Sequence, residues 1–440
     1  MNGQIVQDAF AIDKKKFLFV TLEASSTDLA WTIAKEGHDV KMYIDEREEK
    51  DVGDGFFEKV DKWEPLIEWA DVIVFDDIGF GKIADTLRGQ GKRVVGGSEY
   101  TDRLETDREF GQYQLKLAGL NVLPHWDFDD FEKAIEFIKA HPGRYVFKPS
   151  EEENHVSWEV KSLLTIGEEE DGRDLIEILE QNKKTWSKKI KRFLLQKYVS
   201  GVEIAVSAFF NGSHFITPVT INCEHKKLFP GDIGPYTGEM GTLAFWVEPN
   251  DFFNATLARM GEKLKEAGYV GSIDINCIVN SRGIYPLELT TRFGYPTISV
   301  QIEGVLSPWG EFLYHIASRN NYRLKVKRGF QIGVVIAVPP FPFNDPEIFR
   351  IYKDISVFFK KSHTEGVRLG EIKNVDQTWK LAGENGYALV VTGSSSTVEG
   401  ARKQTYKRVE NIVLPNMLYR TDIGLKWYRE SDRLHTWGIL

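Results

Sequence analysis

Residues 273–296 read IDINCIVNSRGIYPLELTTRFGYP. Apolar and polar side chains alternate from Ile273 to Val279 and again from Tyr285 to Leu289, the period-two signature of strands buried on one face. Asn280-Ser281-Arg282-Gly283 between them has turn chemistry, so the stretch predicts an antiparallel hairpin. Once paired, such strands set the carboxylates of Asp274 and Glu288 side by side. Two carboxylates so placed repel unless a cation separates them, and hard oxygen ligands with room for phosphate oxygens suit Mg²⁺. Two solvated strand carboxylates would give the same spacing. Arg292 follows closely; there it is suited to neutralising a transferring phosphoryl group, and a structural ion pair would suit it equally.

Upstream, Gly231 to Gly241 reads GDIGPYTGEMG, four glycines in eleven residues beside His225, Lys226 and Lys227. Glycines let backbone N–H groups approach an anion closely, and they also make plain flexible loops. The first hundred residues alternate differently. A buried-strand run from Phe17 to Leu22 precedes capping chemistry at Ser25-Ser26-Thr27-Asp28, and further short strands fall at 40–44, 72–75 and 93–95. Strands separated by helical patterns imply a mostly parallel, doubly wound sheet. Its first turn, Glu23-Ala24-Ser25-Ser26, holds no glycine, so a dinucleotide fingerprint is absent. Gly79-Phe80-Gly81-Lys82 is followed by Ile83 where a phosphate loop needs Ser or Thr, and reads as a turn before a helix.

Helical segments are expected over 101–117 and 174–191, and a strand ending in Lys148 over 146–149. An apolar run at 193–199 is suited to a hinge, and a further strand is expected over 328–338. With 440 residues, 42% hydrophobic and 12% aromatic, the chain has ample material for several cores, and wholesale disorder is excluded. Its 65 acidic and 56 basic residues leave a net charge of −9, unlike the basic footprint of a general nucleic-acid binder. Cys223 and Cys277 are expected in the core, with no zinc pattern. Neither a signal peptide nor a membrane span is apparent, so a soluble, cytoplasmic chain with no nucleic-acid or membrane partner is expected.

Taken in order, these features resemble the ATP-grasp superfamily and, within it, the phosphoribosylamine-glycine ligase family. His225-Lys226-Lys227 with the glycine loop is similar to that family's DHKR and GPNTGGMG, Glu288 to Pro296 (ELTTRFGYP) to its EFNARFGDP, and Tyr419 to Gly424 (YRTDIG) to its closing YRxDIG. The resemblance spans about Phe17 to Gly424. It implies an ATP-grasp fold of mixed α/β and α+β class, with an N-terminal doubly wound parallel sheet domain (1–100), a first ATP-grasp part with the lid (101–192), a core with the metal and substrate site (193–324) and a small C-terminal α+β domain (325–440). It also implies roles. Arg108 and Lys148 would reach the ATP phosphates, Gln196 and Tyr198 would border adenine, and Glu203 would hold the ribose. Asp274, Glu288 and Thr290 would hold Mg²⁺, with Mn²⁺ also compatible. Arg292 and Lys226 would act in catalysis, while Glu224, His225, Thr237 and Gly238 would border the carboxylate substrate.

The chain departs from the family where substrates meet it. The family's glycine-rich first turn, which holds a phosphate, is replaced by the stretch around Glu23, whose charge opposes a phosphate. Thr290 stands for an asparagine of the metal site, and Glu151-Glu152-Glu153 follows Lys148 where the family's lid loop is glycine-rich. The expected function is an ATP- and Mg²⁺-dependent carboxylate-amine ligase that makes an acyl phosphate and joins glycine or another small amino acid to an amine. Its alternatives are the orthodox ligase of purine synthesis and a nucleotide-binding regulatory protein with weak turnover. The partners expected are small molecules, with monomer and homodimer both open.

Overall fold

The computed structural model describes residues 13–150, 160, 163–343 and 345–440. Glu151, Glu152 and Glu153 lie outside them. The N-terminal part is a five-stranded parallel sheet in the spatial order Glu58–Lys59, Asp39–Ile44, Lys16–Thr21, Val72–Phe75 and Val94–Val95. Lys16–Thr21 is buried from its second residue onward because both faces are covered. Phe17 and Phe19 pack with Leu29 and Ile33 of the helix Thr27–Lys35, whereas Leu18 and Val20 pack with Leu87 of the helix Gly81–Gly89. This is the doubly wound sheet expected. The chain turns to opposite sides of Lys16–Thr21, so a crevice opens beyond the carboxyl ends of that strand and Val72–Phe75.

A second sheet is antiparallel, in the order His125–Phe128, Arg192–Lys197, Tyr145–Ser150, Thr165–Ile166. It shares a core of Phe147, Phe193, Leu195 and Leu179 with the helices Phe131–Ala140 and Arg173–Trp186. The apolar run expected as a hinge is therefore mostly an interior strand, apolar because it is sandwiched. The helical segment over 101–117 is two helices, Glu99–Thr106 and Arg108–Leu117, broken where Asp107 caps the second by accepting from Phe110 N.

The largest sheet has eight antiparallel strands: Gly283–Thr290, Val270–Asn280, Val202–Asn211, Phe215–Glu224, Gly241–Val247, Phe330–Ile336, Leu389–Ser395 and Val367–Leu369. It runs without a break past residue 325, so the last block of the chain extends the same sheet. One face carries Ile204, Ile221, Cys223, Leu243, Ile275, Cys277 and Ile332 into the main core; both cysteines are buried and free. Gly241 and Gly333 pass so closely that a Cβ on Gly241, whose φ is +149°, would sit 2.5 Å from Gly333 O. Among the described residues no helix is long and apolar enough to cross a membrane.

Candidate active site

The other face of the eight-stranded sheet is polar in its middle. Directly opposed residues of an antiparallel pair share a face. Asp274 opposes Thr290 and Ser207, Asn276 opposes Glu288 and Ala205, and Glu224 opposes Thr242. Alternation then adds Glu203 to the same face. The predicted hairpin thus exists with its two carboxylates together. A bulge after Asn276 leaves Leu287 without a ladder partner, and the Leu287 carbonyl accepts instead from Gln112 Nε2 at 2.8 Å. That bond ties the helix bearing Arg108 to the strand bearing Glu288.

Lys226 sits among three carboxylates, with Nζ 3.0 Å from Glu203, 3.3 Å from Glu224 and 3.5 Å from Glu288. Burial alone would lower its pKa, but the three carboxylates outweigh that and hold it well above the usual lysine value. Lys226, followed by Lys148 and Arg108, in turn holds the Glu288 carboxyl at about 2. Asp274 behaves oppositely: it is buried beside Glu224 and Glu105, and its pKa is pushed well up. Asn276 Nδ2 donates to both oxygens of Glu224, at 3.1 and 3.0 Å, and fixes that carboxylate.

Lys148 is buried in the strand Tyr145–Ser150, and burial followed by the charge of Arg108 lowers its pKa to about 8. Arg108 has one buried guanidinium nitrogen, Nη1, without a hydrogen-bond partner. Lys148 and the half-buried Arg108 repel one another here, a cost that an anion shared between them would offset. Gln196 lies in the next strand, and the Tyr198 amide donates to Arg144 O at 3.0 Å while Arg144 stacks on its ring.

The glycine loop is a small hairpin of Lys227–Phe229 and Ile233–Tyr236. Thr237 closes its base, donating from N and Oγ1 to Lys226 O at 2.8 Å, and the space beside Gly238 is open. Arg420 clamps the loop from the far end of the chain. Fully buried, it donates to Lys227 O (2.9 Å), Asp232 (2.9 Å) and Asp422 (2.8 and 2.7 Å), while Gly231 N donates to Asp422 at 2.9 Å. His225 lies at the root of the loop, buried, with neither ring nitrogen partnered; burial followed by Lys426 and Arg420 depresses its pKa to about 3.

Arg292 is drawn toward the N-terminal sheet. Its Nε lies 3.1 Å from Glu105 and 3.5 Å from Asp77, and those carboxylates help raise its pKa. Glu105 also accepts from Thr291 N at 2.8 Å, so one carboxylate positions the whole turn. Glu105, Asp77, Asn276 and the clamping role of Arg420 lay outside the sequence reading; nothing in their local patterns marks them.

Mg²⁺ tests well against these residues. Among the described residues no group of three or more His, Cys, Asp or Glu side chains forms a metal cage. Mg²⁺, however, is ordinarily held by one or two carboxylates with phosphate oxygens and water completing its shell. Asp274, buried and repelled by neighbouring carboxylates, would be relieved by a cation at its side.

Residues 106–298 match the family described as "Phosphoribosylglycinamide synthetase, ATP-grasp (A) domain". Proteins named phosphoribosylamine–glycine ligase from Streptococcus pneumoniae (22% identical, covering 80% of this chain and 82% of that one) and Streptococcus suis (24%, 82% and 84%) are similar along most of their length. The crystal structure of phosphoribosylamine–glycine ligase from Thermotoga maritima superposes with a TM-score of 0.69 at 20% identity, covering 93% of this chain and all of that one. The biotin carboxylase domain of 2-oxoglutarate carboxylase from Hydrogenobacter thermophilus superposes at 0.63 with 14% identity, covering 97% and 98%. The chain has the ATP-grasp fold and resembles phosphoribosylamine–glycine ligase along most of its length.

Proposed function

We propose that the protein is an ATP- and Mg²⁺-dependent ligase that joins the carboxylate of glycine or another small amino acid to an amine. The observation that carries this reading is the single polar face on which Asp274 and Glu288 meet Lys226, with Lys148 and Arg108 close by. A carboxylate and an amine do not condense at neutral pH, and two anions, ATP and the acid, must first be brought together. Arg108 and Lys148 supply the charge that lets them approach, and Mg²⁺, held by Asp274 and Glu288 with Thr290 beside them, would supply the rest. Gln196, Tyr198 and Glu203 border the nucleoside. Lys226, Glu224, Thr237 and Gly238 border the acid, with His225 supporting the loop from below.

In the first step an acid oxygen attacks the γ-phosphorus and the bond to ADP breaks, leaving an acyl phosphate. Arg292 and Lys226 neutralise the equatorial oxygens. In the second step the amine nitrogen attacks the carbonyl carbon, the bond to phosphate breaks, and the amide, phosphate and a proton are released. The nucleotide half is supported by the Hydrogenobacter carboxylase domain, which was crystallised with MgADP and bicarbonate. The relatives' name favours phosphoribosylamine as the amine; the acidic first turn at Glu23 disfavours it. A purely regulatory nucleotide binder is disfavoured, because binding alone does not require the metal pair and Arg292 together.

The test is ADP release by purified protein with ATP, Mg²⁺, an amino acid and hydroxylamine, which traps an acyl phosphate as a hydroxamate. Glycine should give hydroxamate in the wild type and none in Glu288→Ala. Tight ATP binding with no ADP release from any amino acid would sink the ligase.

A further inference from the structure

A guanidinium at the end of a long side chain stabilises a transferring phosphoryl group only when something outside it fixes its direction. For Arg292 that direction comes from another element. Glu105 Oε1 accepts from Arg292 Nε at 3.1 Å, and Glu105 Oε2 accepts from Thr291 N at 2.8 Å and from Thr291 Oγ1 at 3.3 Å. Both oxygens of one carboxylate thus hold two consecutive residues. Asp77 is the weaker partner: its oxygen nearest Arg292 Nε lies 3.5 Å away and already accepts from Ile78 N at 2.8 Å. The grip of Glu105 fixes the plane of the fork through only one of its five N–H groups.

Glu105 itself stands on a rigid base. Its helix, Glu99–Thr106, starts with the Ser98 side chain accepting from Thr101 N, and Leu104 anchors it in the main core. The following helix, Arg108–Leu117, packs against it so closely that a Cβ on Gly111 would lie 2.5 Å from Leu104 O. The two helices therefore behave as one body.

That body meets the strand Gly283–Thr290 and the turn after it in three places. Gln112 Nε2 donates to Leu287 O at 2.8 Å, Thr101 O accepts from Thr291 Oγ1 at 3.0 Å, and Glu105 holds Thr291 and Arg292. These contacts bracket Glu288 and Thr290 in the sequence. Arg108 begins the second helix of the pair and Arg292 is gripped by the first, so the two cations are set relative to one another and to Glu288. Side chains held on helices keep such geometry better than side chains on loops.

We propose that Glu105 is a positioning residue for phosphoryl transfer, aiming the Arg292 guanidinium at the γ-phosphoryl group of ATP and holding it in register with Arg108. The inference rests on the ligase reading for the identity of the phosphoryl acceptor; the aim at the phosphoryl group concerns ATP alone.

Glu105→Gln keeps an oxygen for Thr291 N and removes the charge that grips Arg292. With ATP, Mg²⁺, glycine and hydroxylamine, kcat for ADP release should fall about 20-fold, while the affinity for ATP, read by isothermal titration, should change less than about twofold. In an Arg292→Lys background the same substitution should lower kcat less than about threefold, because a residue that acts through Arg292 then has nothing left to aim. Equal losses in both backgrounds, or an unchanged kcat, would overturn the proposal. So would a loss of ATP affinity as large as the loss of kcat, which marks a purely structural role. ADP with Mg²⁺ and aluminium fluoride, a mimic of the phosphoryl group in transfer, separates this inference from the ligase reading. Aluminium fluoride should tighten ADP on the wild type, and about tenfold less on Glu105→Gln. That difference without hydroxamate from the wild type sinks the ligase and keeps the positioning role; hydroxamate from the wild type without that difference does the reverse.

Discussion

Two of the carboxylate clusters among the described residues are charged in opposite ways. Around Lys226, Glu203, Glu224 and Glu288 converge on one ammonium, and the Glu288 carboxyl is held far down by it. Glu49 and Glu371, which meet beside Gly383, behave differently: burial followed, for Glu49, by the charge of Glu371 pushes its carboxyl up, and burial does the same to Glu371. One residue type is thus set to opposite protonation states by whether a cation completes the group. The first cluster is built to be ionised and to grip; in the second, burial favours the protonated form.

Breaking the first cluster gives the largest effects. Glu288→Gln keeps the shape and removes the charge, and kcat should fall by about 10²–10³-fold, read as ADP release under saturating ATP. Lys226→Met turns the first cluster into a copy of the second: three carboxylates lose their common partner. Because Lys226 retains some exposure, the expected loss is about 2 kcal/mol, measured by urea unfolding. Glu371→Gln does the converse beside Glu49, removing repulsion instead of attraction, and should stabilise the protein by about 1 kcal/mol above neutral pH.

The pH dependence sharpens the same contrast. Carboxyls whose pKa is raised by folding contribute stability that is fully present below the unfolded value near 4.3 and lost as pH rises through the folded values. The acidic groups acting on Glu49 are Glu371, Glu23 and Glu384, and Lys353 in turn acts on Glu384. Stability should therefore decline from mildly acidic to alkaline pH in the wild type, and Glu49→Gln should flatten that decline in thermal melts. The smallest change is expected at Thr290→Asn, which offers the metal a stronger neutral oxygen and should tighten Mg²⁺ about threefold.

What the sequence made legible follows from range. The hairpin of Asp274 and Glu288 was readable because its period of two, its turn and its carboxylates lie within two dozen residues. The doubly wound sheet was readable for the same reason, since each strand and helix carries its own apolar pattern. The run at 193–199 misled because an apolar stretch between charged segments looks the same whether it links two bodies or lies inside one; only its pairing with Tyr145–Ser150 decides. The meeting of Glu49 and Glu371 was illegible, since it is assembled by parallel crossovers and by an eight-stranded sheet that returns past residue 325. Glu23 stands out in the sequence only as a charge in a turn, and Glu49 and Glu371 carry no local sign.

Arg420 and the loop it clamps are 193 residues apart in sequence. A contact that distant forms late, because the entropy of closing so long a loop must be overcome before the contact returns anything. The four-stranded sheet that carries Lys148 and Gln196 pairs residues within about 70 positions of one another. On refolding, Lys148 and Gln196 should therefore be in place before Arg420 fixes the glycine loop, and for a time the protein holds that sheet formed with the loop still loose.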